Sequence, residues 1–174
     1  MNKIIASLAF SAEKAEILYN QNRYILIRPD TVVEFQKRVE EAVGPGASDL
    51  MFKAAFEIGS RIGRTYVETS TLSQREMIDS MVETANELGW ARLSLKDTGN
   101  FPDVVILQAS NSAFASAYGQ SKTPVCHLIR EVFAGALSKM LGPVRESQEI
   151  ECLSMGHPRC AFGFKLQSDS ITPG

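Results

Sequence analysis

Three cysteines and the acidic and imidazole groups around two of them are the residues of this chain best suited to chemistry. Residues 149–162 read Glu149-Ile150-Glu151-Cys152-Leu153-Ser154-Met155-Gly156-His157-Pro158-Arg159-Cys160-Ala161-Phe162. Cys152 and Cys160 flank a Gly156-His157-Pro158 turn, and a hairpin folded there returns the second thiol toward the first. Cys126 stands near the start of an expected helix, where free backbone N–H groups and the helix dipole favour a thiolate over a thiol. Three thiolates need one more donor to complete a closed tetrahedral zinc site. Glu149, Glu151 and His157 are the local candidates, and spacing alone favours His157, because three cysteines and a histidine are a common set. Free cysteine is also simply a small buried hydrophobe in many proteins. Cys-x₇-Cys is not a standard zinc knuckle.

The elements that must position these groups can be placed from pattern. Glu16–Tyr19 and Arg23–Arg28 read as strands around Asn20-Gln21-Asn22. Thr31 with Glu34 forms a capping box that opens a helix to about Val43, stopped by Gly44-Pro45-Gly46. Ser48 caps a second helix reaching about Val67, with Gly59 and Gly63 four residues apart on it. Ser73 and Glu76 form another capping box, and that helix ends at Gly89. Strands are expected over Trp90–Leu95 and Val104–Leu107, then a short helix over 110–120. Thr123 and Pro124 supply an N-cap and a first-turn proline for a helix running to Met140. Strands at about 145–154 and 159–167 follow, and Ser168–Gly174 reads as a frayed tail. The elements come in blocks and not in strict alternation. That predicts an α+β fold, an antiparallel sheet packed against several helices, in one domain spanning residues 1–174.

Composition narrows the function. The 174 residues carry a net charge of −2, and no Lys/Arg cluster stands out, so nucleic acid is not an expected partner. The apolar runs are far shorter than the ~20 residues that cross a bilayer. Three cysteines, an odd number, argue against a disulfide framework and for a reducing, cytoplasmic setting. Met1-Asn2-Lys3 followed by Ile4–Ala12 has the outline of a stunted signal peptide, but its single lysine and short apolar stretch fit an N-terminal strand or dimer arm better. There is no Gly-rich nucleotide loop, Gly-x-Ser-x-Gly elbow or His-Glu-x-x-His pair.

The segment Cys126-His127-Leu128-Ile129-Arg130-Glu131-Val132-Phe133-Ala134-Gly135-Ala136-Leu137, with Glu149-x-x-Cys152 and Gly156-x-x-x-Cys160-x-Phe162, resembles the 4-vinyl reductase domain family. In family members that serve as sensor modules of phenol-responsive activators, three cysteines and a glutamate hold zinc. The resemblance therefore implies a structural zinc on Cys126, Glu149, Cys152 and Cys160, within a zinc-bearing part at about 123–167, and it moves the fourth ligand from His157 to Glu149. Arg159, Lys122 or helix N–H groups are expected to offset the negative charge of that set.

The resemblance further implies a fold shared with vesicle-tethering transport-particle subunits and a non-enzymatic module that binds or senses a small hydrophobic or aromatic molecule. No ATPase or helix-turn-helix segment is seen, which fits a free-standing module. The apolar and aromatic residues offered as pocket lining are Phe52, Phe56, Trp90, Phe114, Tyr118, His127 and Phe133; each is equally at home in a core. A homodimer is expected, with the Gly59/Gly63 face and the apolar N-terminal segment as candidate surfaces, and a regulatory protein as a further partner. Two other readings stay open: a dimeric scaffold of the tethering type, and an accessory protein of tetrapyrrole vinyl reduction.

Overall fold

The computed structural model describes residues 2–44 and 47–167, without the side chains of residues 48–50. The expected stop at Pro45-Gly46, the Ser48 cap, the Leu50 side chain and the 168–174 tail lie outside the described residues. Six helices and two antiparallel sheets make up the rest.

Four strands form the main sheet: β4 (Arg92–Lys96), β5 (Val104–Ser110), β6 (Val144–Glu151) and β7 (Cys160–Leu166), in the order β4-β5-β7-β6. Cys160, Phe162, Phe164 and Leu166 alternate along β7 and are all buried, so one face of the sheet carries the core. The small sheet joins β1 (Ala9–Ser11), β2 (Glu16–Tyr19) and β3 (Asn22–Tyr24). The helices are α1 (Lys3–Ser7), α2 (Pro29–Val43), α3 (Ala47–Thr69), α4 (Gln74–Glu87), α5 (Ala113–Tyr118) and α6 (His127–Met140).

Helix α6 is apolar around most of its circumference, from Ile129 to Met140, as a helix enclosed on most sides must be. It lies between α3 and the main sheet. The approach to α3 is too close for any side chain at three positions. A Cβ on Gly59 would sit 2.0 Å from the Val132 carbonyl oxygen, one on Gly63 2.5 Å from that of Ala136, and one on Gly135 2.0 Å from that of Phe56. Gly59 and Gly63 are therefore filled by the chain's own helix. That face is not a surface for a second copy.

Several elements start or stop where tertiary contacts overrule local pattern. Helix α2 begins at Pro29 in its first turn, with Arg28 as N-cap, and the Thr31 capping box does not form. The second strand of the expected hairpin ends at Tyr24, and Ile25, Leu26 and Ile27 beyond it are exposed by 75%, 82% and 56%. The N-terminal segment is not a continuous strand, because the Asn2 side chain accepts from the Ile5 N–H and caps α1. Trp90 precedes β4, where its carbonyl accepts from Ala113 N at 2.9 Å. The Ser73/Glu76 capping box forms as expected at the start of α4.

Two stability outcomes follow. Gly135→Ala should force α3 and α6 apart and lower the unfolding free energy by about 3 kcal/mol, read from the urea midpoint at unchanged slope. Ser73→Ala removes a solvent-exposed side-chain cap and should cost about 1 kcal/mol by the same measurement.

Candidate metal centre and apolar cleft

The side chains of Cys126, Glu149, Cys152 and Cys160 meet at the junction of α6 with the β6–β7 hairpin. Their donor atoms all lie within 4.8 Å of one another, and all four residues are buried. Tetrahedral zinc with bonds of about 2.3 Å to sulfur spaces its donors about 3.8 Å apart, so the cluster has the dimensions of such a site.

Each member is delivered by a local feature. Cys160 opens β7 on its core face, paired with Ala109 of β5. Glu149 stands opposite Phe162, and a bulge follows between Glu149 and Glu151. Cys152 then enters a 3₁₀ turn, Leu153–Met155, closed by Gly156 in the left-handed region at φ 88°. Cys126 is the N-cap of α6 and not its third residue. The helix does not extend back to Thr123, because the competing backbone groups are taken: Cys126 N donates to Glu149 Oε2 at 2.9 Å and the Val125 carbonyl accepts from Gln36 at 3.3 Å.

The electrostatics suit a cation. Cys126 and Cys160 sulfurs are 3.5 Å apart, and Leu153 N donates to Cys160 Sγ at 3.3 Å. Glu149 Oε1 is buried with no hydrogen-bond partner. Burial pushes the Glu149 carboxyl up to about 8. Hydrogen bonds with Cys152 and Cys160, then burial, raise the Cys126 thiol, while hydrogen bonds from Cys126 and Cys160 lower Cys152. Without a positive ion, four acids this close cannot all ionise.

His157 lies outside the cluster. Its Nδ1 accepts from Cys152 N at 3.1 Å, so the ring buttresses the turn. Of the groups expected to offset negative charge, backbone N–H groups do so directly, whereas Arg159 pairs with Glu151 at 3.4 Å. Lys122 lies on the rim of a shallow depression beside the 3₁₀ turn.

The seven candidate lining residues do not share one space. Trp90 and Phe114 do: their rings meet edge to face at 6.0 Å on the wall of a cleft of about 430 Å³. Phe133 is 1% exposed and belongs to the core. Phe52 and Phe56 line a surface depression with Arg130, and the ring of His127 packs on Phe52 at 4.3 Å. Burial lowers His127 to about 4 and keeps it neutral. Tyr118 donates to Glu40 at 2.7 Å, and burial with that bond raises it to about 12. The cleft's other walls are largely aliphatic, with Ile4, Leu8, Ile25, Leu26 and Val32 among them. The sequence pattern puts Ile25–Ile27 in a strand, although the same apolar run with no strand partner is what signals a lining.

Comparison with known proteins supports the fold and the C-terminal stretch. The 4-vinyl reductase domain family matches residues 105–166. The phenol-responsive sensory domain of the transcription activator PoxR, solved with phenol, aligns with TM-score 0.80 at 20% identity, covering 94% of this chain and 86% of that one. Subunit 3 of the trafficking protein particle complex from Naegleria fowleri, covalently bound to palmitic acid, aligns with TM-score 0.60 at 12% identity, covering 80% and 95%. A vinyl-4-reductase family protein from Methanocaldococcus jannaschii aligns with TM-score 0.48 at 16% identity, covering 80% and 92%. No curated protein matches the chain. The expected α+β architecture is thus that of the first two structures. The four converging side chains, at 126, 149, 152 and 160, all fall inside the matched stretch, so the chain resembles the 4-vinyl reductase domain family where its buried cluster lies.

Proposed function

We propose that the chain is a non-enzymatic module that binds a small apolar molecule, its C-terminal part fixed by one structural zinc ion. The observation that carries the ligand reading is the cleft of about 430 Å³, which falls in the ~300–1,000 Å³ range of small-molecule sites and has aromatic and aliphatic walls. Fold neighbours hold phenol and palmitic acid, which makes an apolar ligand a natural use of this architecture. The chain's three cysteines all sit in the cluster and none lines the cleft, so the ligand is held without a covalent bond to sulfur.

Cys126, Glu149, Cys152 and Cys160 would hold the zinc. Four protein donors leave no position for water, which suits a structural role and not a hydrolytic one. Zinc supplies the positive charge that four buried acids require, and the residues do the rest: Glu149 keeps its bond to Cys126 N and Leu153 N keeps its bond to Cys160. Zinc-dependent minidomains gain of order 10 kcal/mol from their metal. This chain has an apolar core of its own, so removal should loosen the junction and leave most of the fold.

Purified protein should contain one equivalent of zinc by elemental analysis, and Cys152→Ser or Cys160→Ser should reduce it at least tenfold. Retention of full zinc by both variants would sink the metal assignment. Chelation should lower the melting temperature by several degrees, of the size expected for about 1–2 kcal/mol, with the far-ultraviolet circular dichroism largely kept. For the ligand reading, native mass spectrometry of gently purified protein should show an adduct of a few hundred daltons that organic solvent removes.

A further inference from the structure

The cleft lies between the body of the fold and the N-terminal segment. One wall is Leu88, Trp90 and Phe114; the other is Ile4 of α1 with Ile25 and Leu26. Among the described residues the only charged one on it is Glu87, and no lysine or arginine reaches it. Glu87 is already engaged. Its two carboxylate oxygens accept from the backbone N–H groups of Lys3 at 3.0 Å and Ile4 at 3.2 Å, and its carbonyl accepts from the Asn2 side chain at 2.6 Å. The one fixed charge of the site therefore holds the N-terminal wall in place, and it is negative. A bound anion would meet that carboxylate with no cation on the cleft wall to offset it, since the neighbouring Lys3 is paired with Glu83. A cation would have to share a carboxylate whose oxygens are both taken. Tyr24 and Trp90 are the wall residues whose side chains can donate a hydrogen bond, enough to orient one neutral acceptor.

Resting on the reading of the chain as an apolar-ligand module, we infer that this cleft takes an uncharged, hydrocarbon-rich molecule and rejects carboxylates, sulfonates and phosphates, with the Glu87-pinned N-terminal segment as its outer wall. Specificity here comes from what the wall lacks. A lysine or arginine would attract the head group of a fatty acid or phospholipid; the only charged side chain on this wall among the described residues is a glutamate.

The sequence contains a single tryptophan, and it is on the wall. Trp90 emission thus reports occupancy directly. Two probes that differ by one sulfonate decide the matter: neutral N-phenyl-1-naphthylamine and anionic 8-anilinonaphthalene-1-sulfonate, titrated into the full chain with Trp90 quenching as the readout. The neutral probe should bind at one per chain, at least tenfold more tightly than the anionic one. Leu26→Lys changes a residue that is 82% exposed, so the fold should tolerate it; it should weaken the neutral probe and tighten the anionic one at least tenfold. Ala113→Phe, which narrows the same space, should abolish both signals. Equal affinity of the two probes for the unaltered protein would overturn the charge selection. Neutral-probe binding that neither variant alters would place the ligand elsewhere and overturn this site, while leaving the ligand reading intact. No probe binding together with no copurified adduct would defeat the ligand reading itself. No probe binding by a protein that sediments as a dimer, and as a monomer once Leu26→Lys is made, would assign the cleft to a second copy instead.

Discussion

The hydrogen bond from Cys126 N to the Glu149 carboxylate ties the central helix to the sheet beneath it. It caps α6, sets where that helix begins, and brings an acid into a space where two thiols from the hairpin already stand. Everything else at the junction answers to it. The buried Glu149 needs compensation and the three thiols cannot all ionise beside it, so the group must either keep protons or hold a cation. The helix that this contact fixes also presents its far side to α3, so the α3–α6 crossing is set by the same anchor.

That crossing illustrates what a sequence can and cannot convey. Gly59 and Gly63 announce close contact with another backbone through their spacing, yet spacing does not say whose backbone. The structure answers with Val132 and Ala136 of the same chain. Gly135 completes the contact from the other side, as part of a small-residue run whose partner no local pattern could name. The periodic helices and the alternating strands of the main sheet were legible, because they depend on each residue's own neighbours. Helix starts were less so. Pro29 and Cys126 open their helices against the Thr31 and Thr123 signals, and α6 does so because contacts from distant residues occupy the competing backbone groups.

The two parts of the candidate site differ in the same way. The cluster at 126, 149, 152 and 160 was readable because each donor type is chemically specific and three of them lie within twelve residues of one another. The choice of Glu149 over His157 was not readable from spacing; it depends on the bulge and on His157 turning back onto the Cys152 backbone. Aromatic residues carry no such label. Phe133 packs in the core, Tyr118 ties α5 to α2 through Glu40, and of the seven candidates only Trp90 and Phe114 reach the cleft. Its remaining walls are largely aliphatic side chains from several elements and the links between them, brought together by tertiary structure alone.

The bulge in β6 has a consequence for parity. Along a regular strand, residues an odd number apart face opposite sides, so Glu149 and Cys152 would point away from each other. The extra residue, Ile150, resets the count: Glu149 pairs with Phe162, Glu151 with Ala161, and Cys152, just beyond the strand, meets Cys160 in the cluster. A Glu-x-x-Cys spacing that converges on one point is therefore a written record of an irregular strand. Deleting Ile150 would put Glu149 and Cys152 an even number of residues apart, so a regular strand would then present both on one face.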